Sequence, residues 1–225
     1  MVDLPTSVRV ERAGAVATVH LARPERHNAF DDDLIAELTA ALAMLAEDGE
    51  ARVVVLRGDG PSFSAGADLG WMRRMGGYGF DENVADAERL ADVLAAIRDH
   101  PCPVVARVHG AAMGGGVGLV AACDLAVAAE GTRFALSEVR LGLVPAVIAP
   151  FVLPRIGVAA ARELCLTGEV FDADRARAIG LVARVVPAAA LDEAVAERVR
   201  ALLAGAPDAQ GVVKRLLRDV AADPA

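Results

Sequence analysis

The sequence predicts an α/β fold built around a mostly parallel sheet. Hydrophobic residues make up 55% of the 225 residues, which is enough to bury one sizeable core. Short valine-rich runs such as 52–56 and 104–108 lack the polar alternation of half-exposed strands, and unbroken apolar runs are typical of parallel strands covered on both faces. Helix-like segments separate these runs, and glycine-rich turns follow them. Because sites in such folds collect at the carboxyl ends of the strands, we expect a site in those turns.

The N-terminal residues predict a hairpin followed by a helix. Residues 8–11 and 15–22 alternate between apolar and polar side chains, and Ala13-Gly14 supplies a turn between them. Such alternation is typical of paired strands. Asp31–Asp33 precede a helix that we expect over 34–47, because acidic residues stabilise the positive end of the helix dipole.

The middle of the chain predicts strand, loop and helix in succession. The buried strand 52–56 leads into the loop that contains residues 64–69. The stretch 71–79 is rich in glycine, and we expect it to be mobile. A helix over 83–98 follows, and Pro101-Cys102-Pro103 ends it.

The strand 104–108 leads into a second glycine turn and a helix. We then expect buried strands at 124–128 and 133–136, and a strand-like run at 181–186. From Pro145 onward the pattern is mostly helical. The helices expected there cover 148–155, 158–166, 173–179, 191–203 and 208–221.

Charge, cysteines and hydropathy exclude several classes of function. The net charge of −8 disfavours nucleic acid and anionic membranes as partners. The three cysteines, at positions 102, 123 and 165, stand far apart in apolar surroundings, as expected of reduced core residues. The four histidines lack metal-ligand spacing. No apolar signal segment is visible at the N-terminus, and Asp124 argues against a membrane helix in the apolar stretch 111–129. We therefore expect a cytoplasmic protein without a metal.

Two glycine-rich turns and one glutamate carry the chemical signal. Residues 64–69 read Ser-Ala-Gly-Ala-Asp-Leu, and residues 109–116 read His-Gly-Ala-Ala-Met-Gly-Gly-Gly before an apolar segment. Peptide N–H groups in such turns are unshielded, and those at a helix start lie at the positive end of its dipole. Ala67 can donate one N–H, and the glycine run another, to a single oxygen anion, while Glu138 moves protons nearby.

Each of these motifs alone is ambiguous. A glycine turn before a helix is more often only a tight turn. A phosphate cradle is a second functional option, although no Gly-Lys-Ser/Thr follows either turn. An isolated glutamate such as Glu138 is more often a helix-start or surface acid.

The combination of motifs is more specific than any one of them. Ser64–Leu69, the Gly114–Gly116 helix start, Cys123-Asp124 and Ser137–Pro145 occur in this order. Together they resemble the enoyl-CoA hydratase/isomerase (crotonase) superfamily. The resemblance covers residues from about 8 to 186 and continues more loosely to the end of the chain.

This resemblance implies a crotonase (ClpP-like) fold, in which stacked strand–strand–helix units precede a helical C-terminal tail. Residues 1–186 would form the core that binds and transforms acyl-CoA. Residues 187–225 would form a helical segment, expected to be incomplete, that takes part in assembly into a homotrimer or a hexamer of two trimers. Members of the family need no metal or redox cofactor, since coenzyme A is part of the thioester substrate.

The resemblance also assigns the site. Ala67 and Gly115 would donate their amides to the thioester oxygen, and Glu138 would transfer protons. Arg23-Pro24 and Asn28–Phe30 match the N-terminal motif near which the CoA nucleotide is held. The residues expected to bind substrate or CoA are Arg26, Ala29, Ala65, Asp68, Leu69, Gly114 and Gly118, with the alternative that Asp68 only caps a helix.

One departure from the family pattern concerns Gly118. Typical hydratases carry a second glutamate three residues after the middle glycine of the Gly-Gly-Gly run, and here that position is glycine. Glycine there either permits close helix packing, at about 1 kcal/mol in helix propensity, or leaves room for substrate or water. The segments 116–124 and 137–147 are most similar to the methylglutaconyl-CoA and isohexenylglutaconyl-CoA hydratases, which also lack this glutamate. Arg140 could hold an acyl carboxylate, although a surface or interface position explains it more simply.

Three functions follow from the resemblance. The first is an enoyl-CoA hydratase in which Glu138 delivers both elements of one water. The second is an enoyl-CoA isomerase in which the same residue moves a proton between two carbons. The third is a non-catalytic acyl-CoA-binding trimer.

Overall fold

The computed structural model describes residues 6–222. The strands in this range are β1 Val8–Ala13, β2 Val16–Leu21, β3 Val53–Gly58, β4 Val104–Val108, β5 Ala111–Met113, β6 Leu125–Ala129, β7 Arg133–Ala135, β8 Val170–Asp172 and β9 Arg184–Val186. The α-helices are α1 Asp32–Asp48, α2 Leu69–Met75, α3 Phe80–Arg98, α4 Gly115–Ala122, α5 Ala149–Thr167, α6 Ala173–Ala178, α7 Leu191–Leu203 and α8 Pro207–Ala222.

The larger of the two sheets has six strands in the order β1-β2-β3-β4-β6-β9. β1 and β2 form the expected antiparallel hairpin, and Gly14 adopts a φ of +58° in its turn. Every later pair in this sheet is parallel. The smaller sheet has the order β5-β7-β8, of which β7 and β8 pair antiparallel. The predicted α/β fold with mostly parallel pairing is confirmed.

The valine-rich strands are buried on both faces of the larger sheet. Along β3, Val54 and Leu56 belong to the main apolar core, whereas Val53 and Val55 belong to a second cluster. Successive strand side chains point to opposite faces, so each cluster lies on its own side of the sheet. Helices α1, α3 and α4 supply the main core, and α7 supplies the second cluster. This double coverage explains why the runs show no polar alternation.

The glycine-rich stretch 71–79, for which the sequence predicts no helix, is helical in its first half. α2 occupies Leu69–Met75, and the Asp68 carboxylate caps it by accepting the amides of Gly70 at 2.7 Å and Trp71 at 3.1 Å. A helix of only seven residues is too short for its periodicity to stand out among neighbouring glycines. The capping residue Asp68 is therefore a better sequence signal for α2 than periodicity is.

Three short strands also differ from expectation. The run 133–136 was expected in the main parallel sheet, but β7 pairs within the smaller sheet. The sequence does not predict β5 and β8, each of three residues. Three residues cannot display a two-residue period, so pairing with β7 rather than local pattern makes them strands.

The predicted break between helices 148–155 and 158–166 is present inside α5. Gly157 has φ +75° and ψ 162°, which are not helical angles. Glycine reaches this conformation without the strain that a Cβ would add. The two predicted helices therefore meet at Gly157 as one bent element.

α8 is held to the rest of the protein by Lys214. Its Nζ lies 2.7 Å from Oδ2 of Asp124 and 3.1 Å from the carbonyl oxygen of Cys102. The same Asp124 oxygen accepts the Val104 amide at 2.7 Å, as expected of a side chain that satisfies buried backbone donors. The division of the chain at residue 186 stays a prediction.

No described helix is long and apolar enough to span a membrane. Within residues 6–222, no group of three histidine, cysteine, aspartate or glutamate side chains could hold a metal ion.

Candidate active site

The N-terminal loop holds the loop that carries the first glycine turn. Asn28 is fully buried, and its Nδ2 donates to the carbonyl oxygens of Asp59 at 2.9 Å and Ser62 at 2.8 Å. Its Oδ1 accepts the amide of Arg23 at 2.9 Å. The motif at 23–30 therefore fixes the loop that follows β3, and this role accounts for Asn28 without any ligand.

Phe30 aligns the first turn while leaving one amide unused. The Phe30 amide donates to the carbonyl oxygen of Gly66 at 2.6 Å, and its carbonyl oxygen accepts the Asp68 amide at 2.8 Å. This parallel bridge engages the residues on both sides of Ala67, so the Ala67 amide donates to no acceptor within the described part of the chain. Gly66 has φ +83°, and a Cβ on it would lie 2.6 Å from the carbonyl oxygen of Met113. Glycine is therefore required for this turn to approach β5.

The second turn brings the start of α4 against the first. The Gly114 amide donates to the carbonyl oxygen of Ala135 at 2.8 Å. Gly115 is the first residue of α4, so its amide has no partner within the helix and finds none elsewhere in residues 6–222. A Cβ on Gly115 would lie 2.6 Å from Cε2 of Phe30, and one on Gly66 would lie 3.6 Å from the Gly115 nitrogen. The two turns are therefore adjacent, each with a free amide.

Ala67, Gly115 and Glu138 line one cavity of about 160 Å³. Since liquid water occupies about 30 Å³ per molecule, this volume has room for roughly five waters or a short acyl group. Asp86 and Glu138 are the ionisable residues in the lining. The remaining lining residues are apolar: Phe30, Trp71, Met72, Met75, Ala87, Leu90, Leu143, Val144, Pro145, Val147 and Ile148.

Glu138 is an acid without an ion-pair partner in the described structure. It begins the 3₁₀ turn Glu138–Leu141, and a Cβ on Gly114 would lie 3.1 Å from its Oε1. Its Oε2 is buried and has no hydrogen-bond partner among residues 6–222. Burial raises the pKa of Glu138, and a backbone hydrogen bond offsets this rise only in part. A rise in pKa brings a carboxyl group closer to the pH at which it can both give and take a proton.

Of the two alternatives for Gly118, close packing rather than open space is present in the structure. A Cβ on Gly118 would lie 2.6 Å from Cγ2 of Ile148 and 3.5 Å from Cδ1 of Leu94. Gly118 is buried within α4, and Ile148 rather than Gly118 lines the cavity. Glycine at this position therefore serves close packing, and a role of Gly118 in binding substrate stays a prediction.

Other residues assigned to substrate or CoA binding lie outside the cavity lining. Ala29 is buried, and its carbonyl oxygen accepts Nη1 of Arg23 at 2.9 Å. Ala65 and Leu69 are exposed, and the exposed Arg26 lines a separate cleft beside the start of α1. Contact of these residues with CoA stays a prediction.

Asp68 is the cap of α2. Although burial opposes the effect, hydrogen bonds from the amides of Trp71 and Gly70, aided by the nearby charges of Arg23 and Arg26, lower the pKa of Asp68. The capping alternative is therefore confirmed by the geometry, and a role in binding CoA stays a prediction.

Two large side chains of α2 form part of the cavity wall. Trp71 and Met72 line the cavity, whereas Tyr78 does not. Arg140 is exposed, and its Nε lies 3.4 Å from the carbonyl oxygen of Thr167. It does not line the cavity, so the surface explanation of Arg140 fits the structure.

Asp86 is a lining residue that the motifs did not reveal. It lies on α3, is 1% exposed, and forms an ion pair with Arg89 one turn later. A signal was present in the sequence, because Asp86 precedes Leu90, Val93 and Ile97 at helical spacing. It therefore occupies a core-facing position of an amphipathic helix, where a carboxylate is costly unless it is paired or used.

Comparisons with known proteins identify the family and the fold. Residues 11–224 match the family described as Enoyl-CoA hydratase/isomerase. A crystal structure of an enoyl-CoA hydratase from Shewanella pealeana has a TM-score of 0.93 and 38% sequence identity, over 96% of this chain and 80% of that chain. An enoyl-CoA hydratase from Mycobacterium smegmatis has a TM-score of 0.91 and 38% identity, over 95% of this chain and 82% of that chain.

A third relative is named for a different reaction. The chain is 34% identical over 218 residues to 4-chlorobenzoyl coenzyme A dehalogenase-1 from an Arthrobacter species, covering 94% of this chain and 78% of the relative. The fold is therefore the crotonase fold, and the chain belongs to the enoyl-CoA hydratase/isomerase family.

Proposed function

We propose that the protein is an enoyl-CoA hydratase, which adds water across the α,β double bond of an unsaturated acyl-CoA. The observation that carries this proposal is that the free amides of Ala67 and Gly115 and the carboxyl group of Glu138 line one cavity. The likeness to enoyl-CoA hydratases from Shewanella pealeana and Mycobacterium smegmatis supports it.

The two amides would receive the thioester oxygen. Attack of water on the β-carbon moves negative charge onto that oxygen, and two fixed N–H donors stabilise the charge without reorganising. Loss of one such donor typically costs about 10²–10³ in rate. The Gly115 amide also lies at the positive end of the α4 dipole. Glu138, whose pKa is raised by burial, would supply the acid form that protonates the α-carbon.

The acyl group would occupy the part of the cavity bounded by α2, α3 and residues 143–148. No described lining residue is a lysine or arginine, and Arg89, which pairs with Asp86, has an exposed side chain. A glutaconyl-type acyl group carries its own carboxylate, which the carboxylate of Asp86 in the lining would disfavour. The lining therefore favours uncharged enoyl thioesters over the branched glutaconyl thioesters that the sequence suggested.

Incubation with a 2-enoyl-CoA and, separately, with a 3-enoyl-CoA tests the proposed reaction. A hydratase removes the conjugated absorbance of the 2-enoyl thioester and forms a 3-hydroxyacyl-CoA. An isomerase instead generates conjugated absorbance from the 3-enoyl thioester. Binding without turnover of either thioester would indicate the non-catalytic acyl-CoA-binding protein. Assays with a methylglutaconyl-CoA and with a crotonyl-type thioester test the acyl preference. We expect the higher kcat/KM for the uncharged substrate.

Assembly, cofactor use and location complete the proposal. We propose a cytoplasmic homotrimer, alone or paired into a hexamer, that uses no cofactor beyond the coenzyme A of its substrate. Exposed apolar side chains such as those of Leu141, Leu166 and Val170 support this assembly, since burial of apolar surface between copies is stabilising. Sedimentation velocity should give three or six times the mass of one chain, and a monomer would contradict the assembly.

A further inference from the structure

The cavity contains a second buried carboxylate that the proposed reaction has not used. Asp86 is 1% exposed and lines the same cavity as Ala67, Gly115 and Glu138. Its Oδ2 is buried without a hydrogen-bond partner among residues 6–222, as is Oε2 of Glu138. A buried acceptor without a donor is destabilising. Two such acceptors around one small cavity indicate that water or substrate in the cavity supplies the missing donors.

The two carboxyl groups stand in different electrostatic surroundings. Asp86 forms an ion pair with Arg89, and a cation beside a carboxyl group favours the charged form of that group. Arg89 in turn lies 3.8 Å from Asp32, which pairs with Arg74 at 2.9 Å. Glu138 has no ion-pair partner in the described structure, and burial favours its protonated form. Two acids whose surroundings favour opposite protonation states are suited to act as base and acid in one reaction.

Water addition requires two proton transfers at two different atoms. One proton leaves the attacking water, and another reaches the α-carbon. If Glu138 worked alone, it would have to do both from one position. Asp86 is the other ionisable residue of the described lining, and its Oδ2 lacks a donor such as a water O–H.

We propose that Asp86 is a second catalytic residue, the base that takes a proton from the attacking water while Glu138 gives a proton to the α-carbon. This inference rests on the proposed hydratase function. It replaces the alternative in which Glu138 alone delivers both elements of water.

The bonds and protons of this step balance. The water oxygen bonds to the β-carbon as one of its O–H bonds breaks, and that proton goes to Oδ2 of Asp86. The electron pair of the double bond moves through the α-carbon to the thioester oxygen, where the amides of Ala67 and Gly115 stabilise it. The α-carbon then takes the proton of Glu138, and the thioester carbonyl re-forms. One proton then passes from Asp86 to Glu138 through solvent and restores the starting state.

Comparing two reactions in one variant tests this division of labour. Hydration of a 2-enoyl-CoA needs both carboxyl groups, whereas exchange of the α-hydrogen of a saturated acyl-CoA with D₂O needs only Glu138 and the two amides. Asp86→Asn should therefore lose hydration by about 10²-fold or more and keep the exchange rate within about threefold of wild type. Glu138→Gln should lose both reactions. Asp92→Asn, the same substitution at an exposed position of α3, should leave both reactions unchanged.

Two results would overturn the role of Asp86. One is hydration by Asp86→Asn within about threefold of wild type. The other is equal loss of hydration and exchange in both Asp86→Asn and Asp86→Glu, which would assign Asp86 a structural role. Retention of exchange in Asp86→Asn shows that the fold and the two amides are intact. Asp86→Glu keeps a carboxyl group, so its hydration rate should be at least about tenfold higher than that of Asp86→Asn. Failure of the hydratase function itself would appear separately, as absence of hydration in wild type.

Discussion

The two walls of the cavity are built from different parts of the chain. One wall consists of backbone at Gly66-Ala67 and Gly114-Gly115, held by hydrogen bonds such as that from the Phe30 amide to the Gly66 carbonyl. The other consists of side chains from α2, α3 and residues 143–148. Backbone donors keep their positions when a side chain is exchanged, unless a new Cβ collides with them. The first wall therefore suits fixed charge stabilisation, and the second suits variation in the acyl group it admits.

Removing the carboxyl group of Glu138, which lies between the two walls, should have the largest effect on the hydration rate. In Glu138→Gln the side chain keeps its size but can neither give nor take a proton, and we expect hydration to fall by at least about 10³-fold. Steady-state kinetics with a 2-enoyl-CoA would measure this. Glu169→Gln, at an exposed position outside the cavity, is the matched control and should keep wild-type activity. Activity of Glu138→Gln close to that of the control would exclude Glu138 as the catalyst.

Disturbing the backbone wall should have the next largest effect. In Gly66→Ala, the added Cβ would collide with the Met113 carbonyl, 2.6 Å away, at a residue whose φ is +83°. The resulting shift should displace the Ala67 amide and reduce kcat by about 10²–10³-fold.

Gly131→Ala separates collision from backbone strain. Gly131 has φ +76°, but a Cβ there would meet nothing within 4 Å. This variant should lose about 1–2 kcal/mol of stability from its left-handed backbone and keep its kcat. Equal kcat values in Gly66→Ala and Gly131→Ala would argue against the role assigned to the first turn.

Changing the side-chain wall should alter selectivity more than chemistry. Met72→Ala enlarges the cavity without touching the two amides, so kcat/KM for longer acyl chains should rise relative to short ones by about tenfold. Kinetics over a series of enoyl-CoA chain lengths would measure the shift. Met44→Ala, on an exposed part of α1, should leave the chain-length preference unchanged, and an unchanged preference in Met72→Ala would show that this wall does not contact the acyl group.

The smallest expected effect is on stability as a function of pH. The pKa of Glu138 is raised above its ordinary 4.5 because the group is buried, so the folded protein binds this proton more tightly than the unfolded chain does. The contribution of Glu138 to the free energy of unfolding is therefore fully present below pH 4.5 and is lost as the pH rises through the folded-state pKa. Gln at this position does not titrate.

Chemical denaturation at several pH values measures this effect. The free energy of unfolding of wild type, relative to Glu138→Gln, should fall as the pH rises above 4.5. The free energy of unfolding of wild type relative to Glu169→Gln should not show this fall, because both proteins keep Glu138. A relative stability that rises with pH would mean that the folded protein stabilises the charged form.

The same contrast between the walls separates what the sequence predicts from what it does not. The parallel sheet follows from valine-rich runs, and the backbone wall follows from glycines that mark close approaches, at Gly66 and Gly115. The side-chain wall depends on which faces of α2 and α3 meet across the cavity, and local pattern does not fix that meeting. Local pattern therefore predicts neither α2 nor the place of Asp86 in the cavity, although Asp86 interrupts an apolar stripe.

Gly118 shows a second limit of what the local sequence can predict. The sequence around Gly118 is compatible with either open space or close packing at this position. Only the position of Ile148, thirty residues later, distinguishes these two alternatives. Long-range packing of this kind leaves no local signal.

The vibrational frequency of a bound thioester carbonyl tests the central feature most directly. With a saturated acyl-CoA labelled with ¹³C at the carbonyl carbon, isotope-edited infrared difference spectra report how strongly the oxygen is hydrogen-bonded. Two amide donors from Ala67 and Gly115 should lower the stretching frequency below its value in water, and Gly66→Ala should reverse part of that shift. A bound carbonyl that absorbs at the frequency seen in water, in wild type and variant alike, would contradict the oxyanion hole.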